Sequence, residues 1–251
     1  MRKNLIIVWI FLGIFSSGIV FGWEVFHFGN NNQSNLPWIY NPISWFYEQK
    51  KEEEIQKDVT ANMDFYSDTS FQKFLDDNHP LSQNYEAKDI VKINSDFTSN
   101  RSSNFMLRKK AAEMFEWMAR AFSNAFEFKA KLTINSARRS QSFQRQLSKN
   151  CSNARCANPW TSEHEAGLAL DLGVNGWNIK AWSWKYYQWL IDNAHLYWFH
   201  NSYQKWMDVD GKMVEPWHWR YVWTWLATLL HDRWQTFAEY FYENIENKSN
   251  F

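Results

Sequence analysis

Two short segments of the chain supply side chains that can bind a metal ion. The first, residues 162–171, reads SEHEAGLALD, and the second, residues 215–221, reads EPWHWRY. A catalytic zinc site uses three protein ligands and keeps a fourth position for water. His164, Asp171 and His218 could be those ligands, and Glu215 could be the base beside the water. The set predicts a zinc-dependent peptidase.

The spacing inside each segment indicates how the side chains are positioned. Residues 167–172 alternate leucines with small residues and Asp171, which is the periodicity of a strand with its leucines buried. In the second segment Glu215 and His218 are three apart, so an ideal strand would point them to opposite faces. Pro216 fits best at the first residue of a strand. We therefore expect Glu215 in the loop before the strand and His218 on the strand.

The surrounding elements predict an α+β fold. Apolar residues recur at helical spacing through residues 106–126 and again through 180–197, which predicts two amphipathic helices. Residues 131–135 alternate like a strand. Helices and strands in this order favour an antiparallel sheet with flanking helices that form a zinc cleft.

The two motifs resemble those of the VanY-type D-alanyl-D-alanine carboxypeptidases, whose zinc fold is shared with lysostaphin and the hedgehog signalling domain. The resemblance covers roughly residues 80–225. It implies a zinc ion held by His164, Asp171 and His218, with Glu215 as general base.

A third element, residues 136–144 (SARRSQSFQ), is similar to a Ser-x-x-Arg-Ser-x-x-x-Gln pattern of the same family. The resemblance implies that Arg139 holds the scissile carbonyl oxygen or the substrate carboxylate. Arg138 stands where the family has an aromatic residue, so either arginine could act. The substrate-binding candidates are Ser162, Arg138, Gln144 and Trp217.

The N-terminus predicts export. Arg2 and Lys3 precede an uncharged apolar run to about Trp23, which approaches the ~20 residues that span a bilayer. We expect residues 1–23 to be a transmembrane signal anchor, with a cleaved signal peptide as the alternative. Charge at the short end places the rest of the chain outside the cytoplasm. Residues 24–80 would be a partly disordered or helical spacer, and 81–245 the peptidase domain.

Composition narrows the class of partner. The chain has 251 residues with 27 basic and 27 acidic side chains, so its charge gives no reason to expect nucleic acid. The only cysteines, Cys151 and Cys156, could close a small disulfide outside the membrane or remain free thiols. We expect a monomer.

The tryptophan and glycine content is unusual. The chain has 17 tryptophans and 8 glycines, well below the about 7% glycine of average proteins. The resemblance predicts glycine at four positions: Trp160, Trp198, Trp206 and Trp223. One hypothesis is that UGA codons, read here as tryptophan, are read as glycine in the source organism. The alternative is a protein that is genuinely rich in tryptophan.

Taken with the resemblance, the sequence predicts a membrane-anchored, extracytoplasmic zinc D,D-carboxypeptidase. It would remove the terminal D-alanine of peptidoglycan stem peptides. An L,D-carboxypeptidase or a cross-link endopeptidase would use the same site. A catalytically inactive wall-binding module is the alternative from another class, but such a module would have no need of Glu215.

Overall fold

A computed structural model describes residues 63–94, 96–100, 104–179, 184–206 and 208–246, which all lie in one compact unit. The strands are β1 (Ile90–Lys92), β2 (Met106–Arg108), β3 (Leu132–Ser136), β4 (Ala169–Val174), β5 (Trp177–Asn178), β6 (Phe199–His200) and β7 (His218–Tyr221). The α-helices are α1 (Lys109–Ala125), α2 (Gln141–Ser148), α3 (Trp184–Asn193), α4 (Thr224–Asp232) and α5 (Phe237–Phe241). A 3₁₀ turn (Ala194–Tyr197) follows α3, and a π-helical turn (Tyr242–Glu246) follows α5.

An antiparallel sheet in the strand order β3-β4-β7-β6 carries the candidate site, and β5 pairs with β4. In its register Asp171 on β4 lies opposite His218 on β7. A shift in register between Ile134 and Ser136 brings Ser136 of β3 beside Asp171 as well. The sheet thus brings together residues that are far apart in the sequence. The α+β fold with an antiparallel sheet and flanking helices is confirmed.

The strand and helix predictions hold with changes at their ends. The strands predicted at 131–135 and 167–172 are β3 and β4, and Glu215 precedes β7 as expected. The helix predicted from residue 106 begins at Lys109, because Met106–Arg108 pairs with Ile90–Lys92 as a two-stranded sheet. The helix predicted at 180–197 is α3 plus the 3₁₀ turn, and residues 180–183 lie outside the described residues.

The main core lies between the sheet and the buried face of α1. It contains Phe115, Met118 and Phe122 of α1 and the strand residues Leu132 and Leu170, all fully buried. This packing is what the helical spacing of the apolar residues predicts.

A second hydrophobic cluster packs residues 63–75 against the C-terminal helices. We call it the terminal cluster: Phe65, Phe74, Val222, Leu226, Ala227, Leu230, Phe237, Ala238, Tyr240 and Phe241. The rings of Phe74 and Phe241 are stacked with their centroids 4.1 Å apart. The packed part of the chain therefore includes residues that the sequence analysis placed in the spacer.

The predicted N-terminal membrane helix, residues 1–23, lies outside the described residues, as does most of the spacer. Within the ranges that the structure describes, every helix is too short or too polar to cross a bilayer.

Four tryptophans have a backbone conformation that bulky side chains rarely adopt. Among the described residues, eight other than glycine have positive φ, and four of these are Trp160 (74°), Trp198 (68°), Trp223 (72°) and Trp234 (51°). Positive φ is a genuine outlier for a bulky residue and ordinary for glycine. Trp206, the remaining position where we expected glycine, is not in this group.

Candidate metal centre and its cleft

Three side chains converge where β4, β7 and the loop before β4 meet. One ligand atom each from His164, Asp171 and His218 lies within 4.8 Å of the others. Oδ1 of Asp171 is 3.3 Å from Nε2 of His164 and 3.3 Å from Nδ1 of His218. Nε2 of His164 and Oδ1 of Asp171 are buried without a hydrogen-bond partner. Two nitrogens and one carboxylate oxygen that converge in this way fit the three-ligand zinc site that the sequence predicts.

Each histidine uses one ring nitrogen for a hydrogen bond, and this bond fixes which nitrogen faces the centre. Nδ1 of His164 lies 2.8 Å from the carbonyl oxygen of Ala137, to which it can only donate. Nε2 of His218 lies 2.8 Å from Oε2 of Glu163 and donates to that carboxylate. In these tautomers Nε2 of His164 and Nδ1 of His218 carry free lone pairs directed at Asp171, as metal ligands require.

The loop that carries His164 turns back on itself through Gly167. Gly167 has a φ of 70°, and a Cβ atom there would lie 2.7 Å from Cδ1 of Ile90. The amide of Gly167 donates to the carbonyl of His164 at 3.1 Å, which closes the turn. The glycine of the first motif is therefore required both by its backbone conformation and by the close approach of β1.

The centre is an environment that favours a cation. Burial lowers the pKa of His218, but the nearby carboxylates of Asp171 and Glu163 outweigh burial and raise that pKa to about 10. Burial alone would raise the pKa of Asp171, whereas the nearby His164 and His218 hold it well below its usual value. The two carboxylates thus stabilise positive charge at the point where the ligand atoms converge, and a divalent cation would provide it.

Glu215 lies beside the three ligands. Its Oε2 is 3.9 Å from Nδ1 of His218, and its amide donates to the carbonyl of Tyr203 at 2.9 Å. Burial raises the pKa of Glu215 to about 7, with His218 opposing and Asp171 reinforcing this shift. A carboxyl with a pKa near the working pH can both accept and return a proton, as a general base and acid must.

The two candidate arginines point in different directions. Arg139 lines the cleft, donates to Oδ2 of Asp171 at 2.7 Å and to Oγ of Ser136 at 3.0 Å. Arg138 pairs instead with Glu86 at 3.5 Å and does not line the cleft. Of the two, Arg139 is the one that could contact a bound substrate.

The other substrate-binding candidates separate in the same way. Ser162 and Trp217 line the cleft, which has an open volume of about 620 Å³. Gln144 is fully buried outside the lining, and its Nε2 donates to the carbonyl of Ala157 at 2.7 Å. Gln144 therefore braces the loop that forms the cleft wall, and the prediction that it contacts substrate has no support in this geometry.

The predicted disulfide is present and lies at the edge of the cleft. Cys151 and Cys156 are bonded with their Cα atoms 5.8 Å apart, and Cys156 is part of the cleft lining. The bond closes a short loop between α2 and the first motif, which restricts the backbone at the entrance to the site.

The sequence analysis missed several residues of the site. The ring of Tyr203 lies 4.7 Å from that of His218, and the side chains of Arg155 and Lys212 add positive charge to the cleft lining. Burial, followed by the nearby Glu163, raises the pKa of Tyr203 well above its usual value, so its hydroxyl is neutral. These residues belong to loops without a motif of their own. They are recognised as residues of the site only in the folded structure, where they line the same cleft as His218.

Comparison with known proteins places this geometry in a family. A family model described as VanY, D-alanyl-D-alanine carboxypeptidase, matches residues 104–224. The matched part of the chain therefore resembles the VanY family. All three candidate ligands, Glu215 and Arg139 fall inside the matched range, whereas most of the terminal cluster falls outside it.

The chain is similar to proteins named as carboxypeptidases. It is 35% identical over 83 residues to a D-alanyl-D-alanine carboxypeptidase of Enterococcus faecalis (strain ATCC 700802 / V583), covering 33% of this chain and 30% of that protein. YodJ of Bacillus subtilis (strain 168), named as a carboxypeptidase, is 30% identical over 177 residues, which is 65% of this chain and 64% of YodJ. The chain thus spans less than two thirds of both relatives.

Solved structures share the fold. The LD-carboxypeptidase LdcB superposes with a TM-score of 0.61 at 28% identity, covering 69% of this chain and 86% of LdcB. The vancomycin-resistance D,D-pentapeptidase VanY, solved in complex with Zn(II), gives a TM-score of 0.54 at 20% identity and covers 66% of this chain and 96% of that one.

Proposed function

We propose that the protein is a zinc-dependent carboxypeptidase that removes the C-terminal D-alanine from peptidoglycan stem peptides. The observation that carries the proposal is the cluster of His164, Asp171 and His218 with Glu215 beside it, inside the part of the chain that the VanY family model matches. Two histidine nitrogens and one buried carboxylate oxygen suit zinc rather than the oxygen-rich coordination of magnesium or calcium.

The side chains of the cleft would have separate roles in peptide hydrolysis. A bound zinc ion would polarise the scissile carbonyl and lower the pKa of a water molecule. Glu215 would accept a proton from the attacking water and return it to the leaving amine, a role that its pKa of about 7 suits. The guanidinium of Arg139 can bind the developing oxyanion or the terminal carboxylate of the substrate.

The positive charge of the cleft favours an exopeptidase. Arg139, Arg155 and Lys212 all line it, so a substrate with a free carboxylate at the cleaved end gains interactions that an internal peptide bond lacks. The same charge would accept the carboxylate of either a pentapeptide or a tetrapeptide stem. The D,D-carboxypeptidase is our first proposal. The likeness to the LD-carboxypeptidase LdcB makes L,D-cleavage the alternative.

Defined stem peptides test the proposal directly. The zinc-loaded full chain is incubated with a pentapeptide ending in D-Ala-D-Ala, a tetrapeptide ending in a single D-Ala, and a cross-linked dimer, and products are identified by mass. We expect release of D-alanine from the pentapeptide and none after His164→Ala. Cleavage of the tetrapeptide alone would favour the L,D-alternative. Cleavage of no peptide, or equal rates with and without zinc, would refute the proposal.

Glu215→Gln separates the base from the ligands. We expect it to lower kcat by about 10²–10⁴-fold because the general base is lost, while the zinc content per chain stays unchanged. His218→Ala is the matched comparison and should lose zinc and activity together. If Glu215→Gln loses its zinc as well, Glu215 is a ligand and its assigned role is wrong.

A further inference from the structure

A buried network of polar side chains lies behind His218 on the side away from the cleft. Glu163 is 4% exposed and accepts three hydrogen bonds. Its Oε2 accepts from Nε2 of His218 and from Oγ of Ser202, both at 2.8 Å, and its Oε1 accepts from Nη1 of Arg220 at 2.7 Å. Both oxygens of this carboxylate therefore accept from specific donors.

Arg220 connects this network to the terminal cluster. It is fully buried, its Nη2 donates to the carbonyl of Lys73, and its guanidinium carbon lies 4.8 Å from the ring centroid of Phe237. Lys73 and Phe237 both lie outside residues 104–224, the range that the family model matches. The flanking segments of this chain thus contact Arg220, which donates to the carboxylate behind His218.

We propose that Glu163 is a positioning residue for the metal ligand His218, and that Arg220 and the flanking segments hold Glu163 in place. This proposal rests on the zinc site of the proposed function. An accepting carboxylate on Nε2 fixes the tautomer that leaves Nδ1 free for the metal, and it fixes the orientation of the ring. Loss of such an outer partner typically weakens metal binding by about 10–100-fold.

Glu163→Gln is the variant that tests the network with the smallest change in shape. A glutamine can offer an oxygen to His218 or to Arg220, but its amide nitrogen then faces a donor on the other side. The ring of His218 therefore loses either its acceptor or its fixed position. Glu165→Gln is the matched control, because Glu165 is also buried in the same loop but accepts from the amide of Trp160.

The measurement is the zinc dissociation constant of the full chain by competition with a chromophoric chelator. The visible spectrum of the Co²⁺-substituted protein is the second readout. We expect Glu163→Gln to weaken zinc binding by about 10–100-fold and to shift the Co²⁺ bands, whereas Glu165→Gln should match the wild type. Equal zinc affinity and equal spectra for Glu163→Gln and the wild type would overturn the proposal.

Two further outcomes remain decisive. If Glu163→Gln does not fold, Ser202→Ala replaces it. This variant removes one hydrogen bond to Oε2 of Glu163 and keeps the charges of Glu163 and Arg220. A measurable loss of zinc affinity in Ser202→Ala supports the proposal, and unchanged affinity overturns it. A wild-type chain that binds no zinc would refute the proposed function instead, so the two failures can be told apart.

A second inference rests on the backbone and not on the metal centre. Trp234 follows α4 at the position where many helices place glycine. Its amide donates to the carbonyl of His231 and the next amide, that of Gln235, donates to Leu230, both at 3.0 Å. With a φ of 51° at Trp234, this is the Schellman arrangement, in which the residue after the C-cap adopts the left-handed conformation.

Trp198 and Trp223 are equally unsuited to their positions. Trp198 ends the 3₁₀ turn at φ 68° and ψ 21°, in the left-handed region. Trp223 precedes α4 at φ 72° and ψ 168°, a combination that is almost restricted to glycine. From these conformations and the φ of 74° at Trp160 we infer that glycine occupies positions 160, 198, 223 and 234 in the natural protein. A UGA codon read as glycine by the source organism accounts for all four.

Peptide mass spectrometry of the protein from its own cells tests this inference. Peptides that contain positions 160, 198, 223 and 234 should have the mass of glycine at each. The peptide that contains Trp219 is the internal reference and should retain tryptophan, because this side chain is 2% exposed in the core and has no positive φ. Tryptophan at any of the four positions in native material would overturn the inference.

Discussion

Glycine and alanine should have opposite effects at positions 234 and 117. Trp234 and Trp117 are 54% and 55% exposed, so removing either ring sacrifices a similar amount of buried surface. Trp117 lies within α1, where alanine is more stable than glycine by about 1 kcal/mol. At 234 the positive φ disfavours any residue with a Cβ atom by about 1–2 kcal/mol, so glycine should be the more stable there.

The glycine–alanine comparisons at the two positions give one expected difference in the free energy of unfolding. The preference for glycine over alanine should be about 2 kcal/mol larger at 234 than at 117. For a chain of this size that corresponds to roughly 4–8 °C in Tm. Because each comparison is made after the tryptophan has been removed, differences in ring burial cancel.

The assay is urea unfolding of the four single variants in the full chain, at one fixed zinc concentration, since bound metal adds to apparent stability. Equal m values show that the variants unfold from comparable states. If alanine is as stable as glycine at 234, or if both positions show the same preference, the left-handed conformation of Trp234 is not a feature of the folded protein.

Three other predictions concern the buried histidines, the disulfide and the N-terminus. Burial lowers the pKa of His195 to about 4 and of His200 to about 3, so between pH 6.5 and 4 these two side chains bind more protons in the unfolded chain than in the folded chain. Their contribution to stability should fall as pH drops through this window, and His195→Gln should make the change in stability from pH 7 to pH 5 more favourable than in the wild type by about 1–2 kcal/mol in urea unfolding. The same change as in the wild type would contradict this. Replacing Cys151 and Cys156 by serine should lower the free energy of unfolding by about 2 kcal/mol, as expected for a short closed loop; no change would mean that the bond does not constrain the unfolded chain. The apolar run of residues 5–23 predicts that protease added to intact cells digests the domain, and full protection would refute an extracytoplasmic location.

The separation of ligand from base could be predicted because it depends on local spacing. Glu215 and His218 are three residues apart with Pro216 between them, so only one can point inward from the strand. The structure agrees: Glu215 precedes β7 and His218 begins it. Asp171 could be placed on β4 for the same reason, since the leucines beside it must occupy the opposite face.

The network behind His218 could not be predicted, because its contacts are not local. Glu163 is 39 residues from Ser202 and 57 from Arg220, and neither spacing corresponds to a helix or strand period. Within the first motif, Glu163 and Glu165 are indistinguishable by residue type. The fold alone directs one carboxylate to His218 and the other to the amide of Trp160.

Sequence and backbone select overlapping but different tryptophans. The family resemblance ends near residue 225, so it could not identify Trp234, whose conformation follows from the end of α4. It did identify Trp206, where the backbone does not require glycine. The three positions that both criteria select are therefore supported by two independent reasons. Since none of the four tryptophan positions with positive φ is a metal ligand or the proposed base, the assignment of the site is the same whichever residue occupies them.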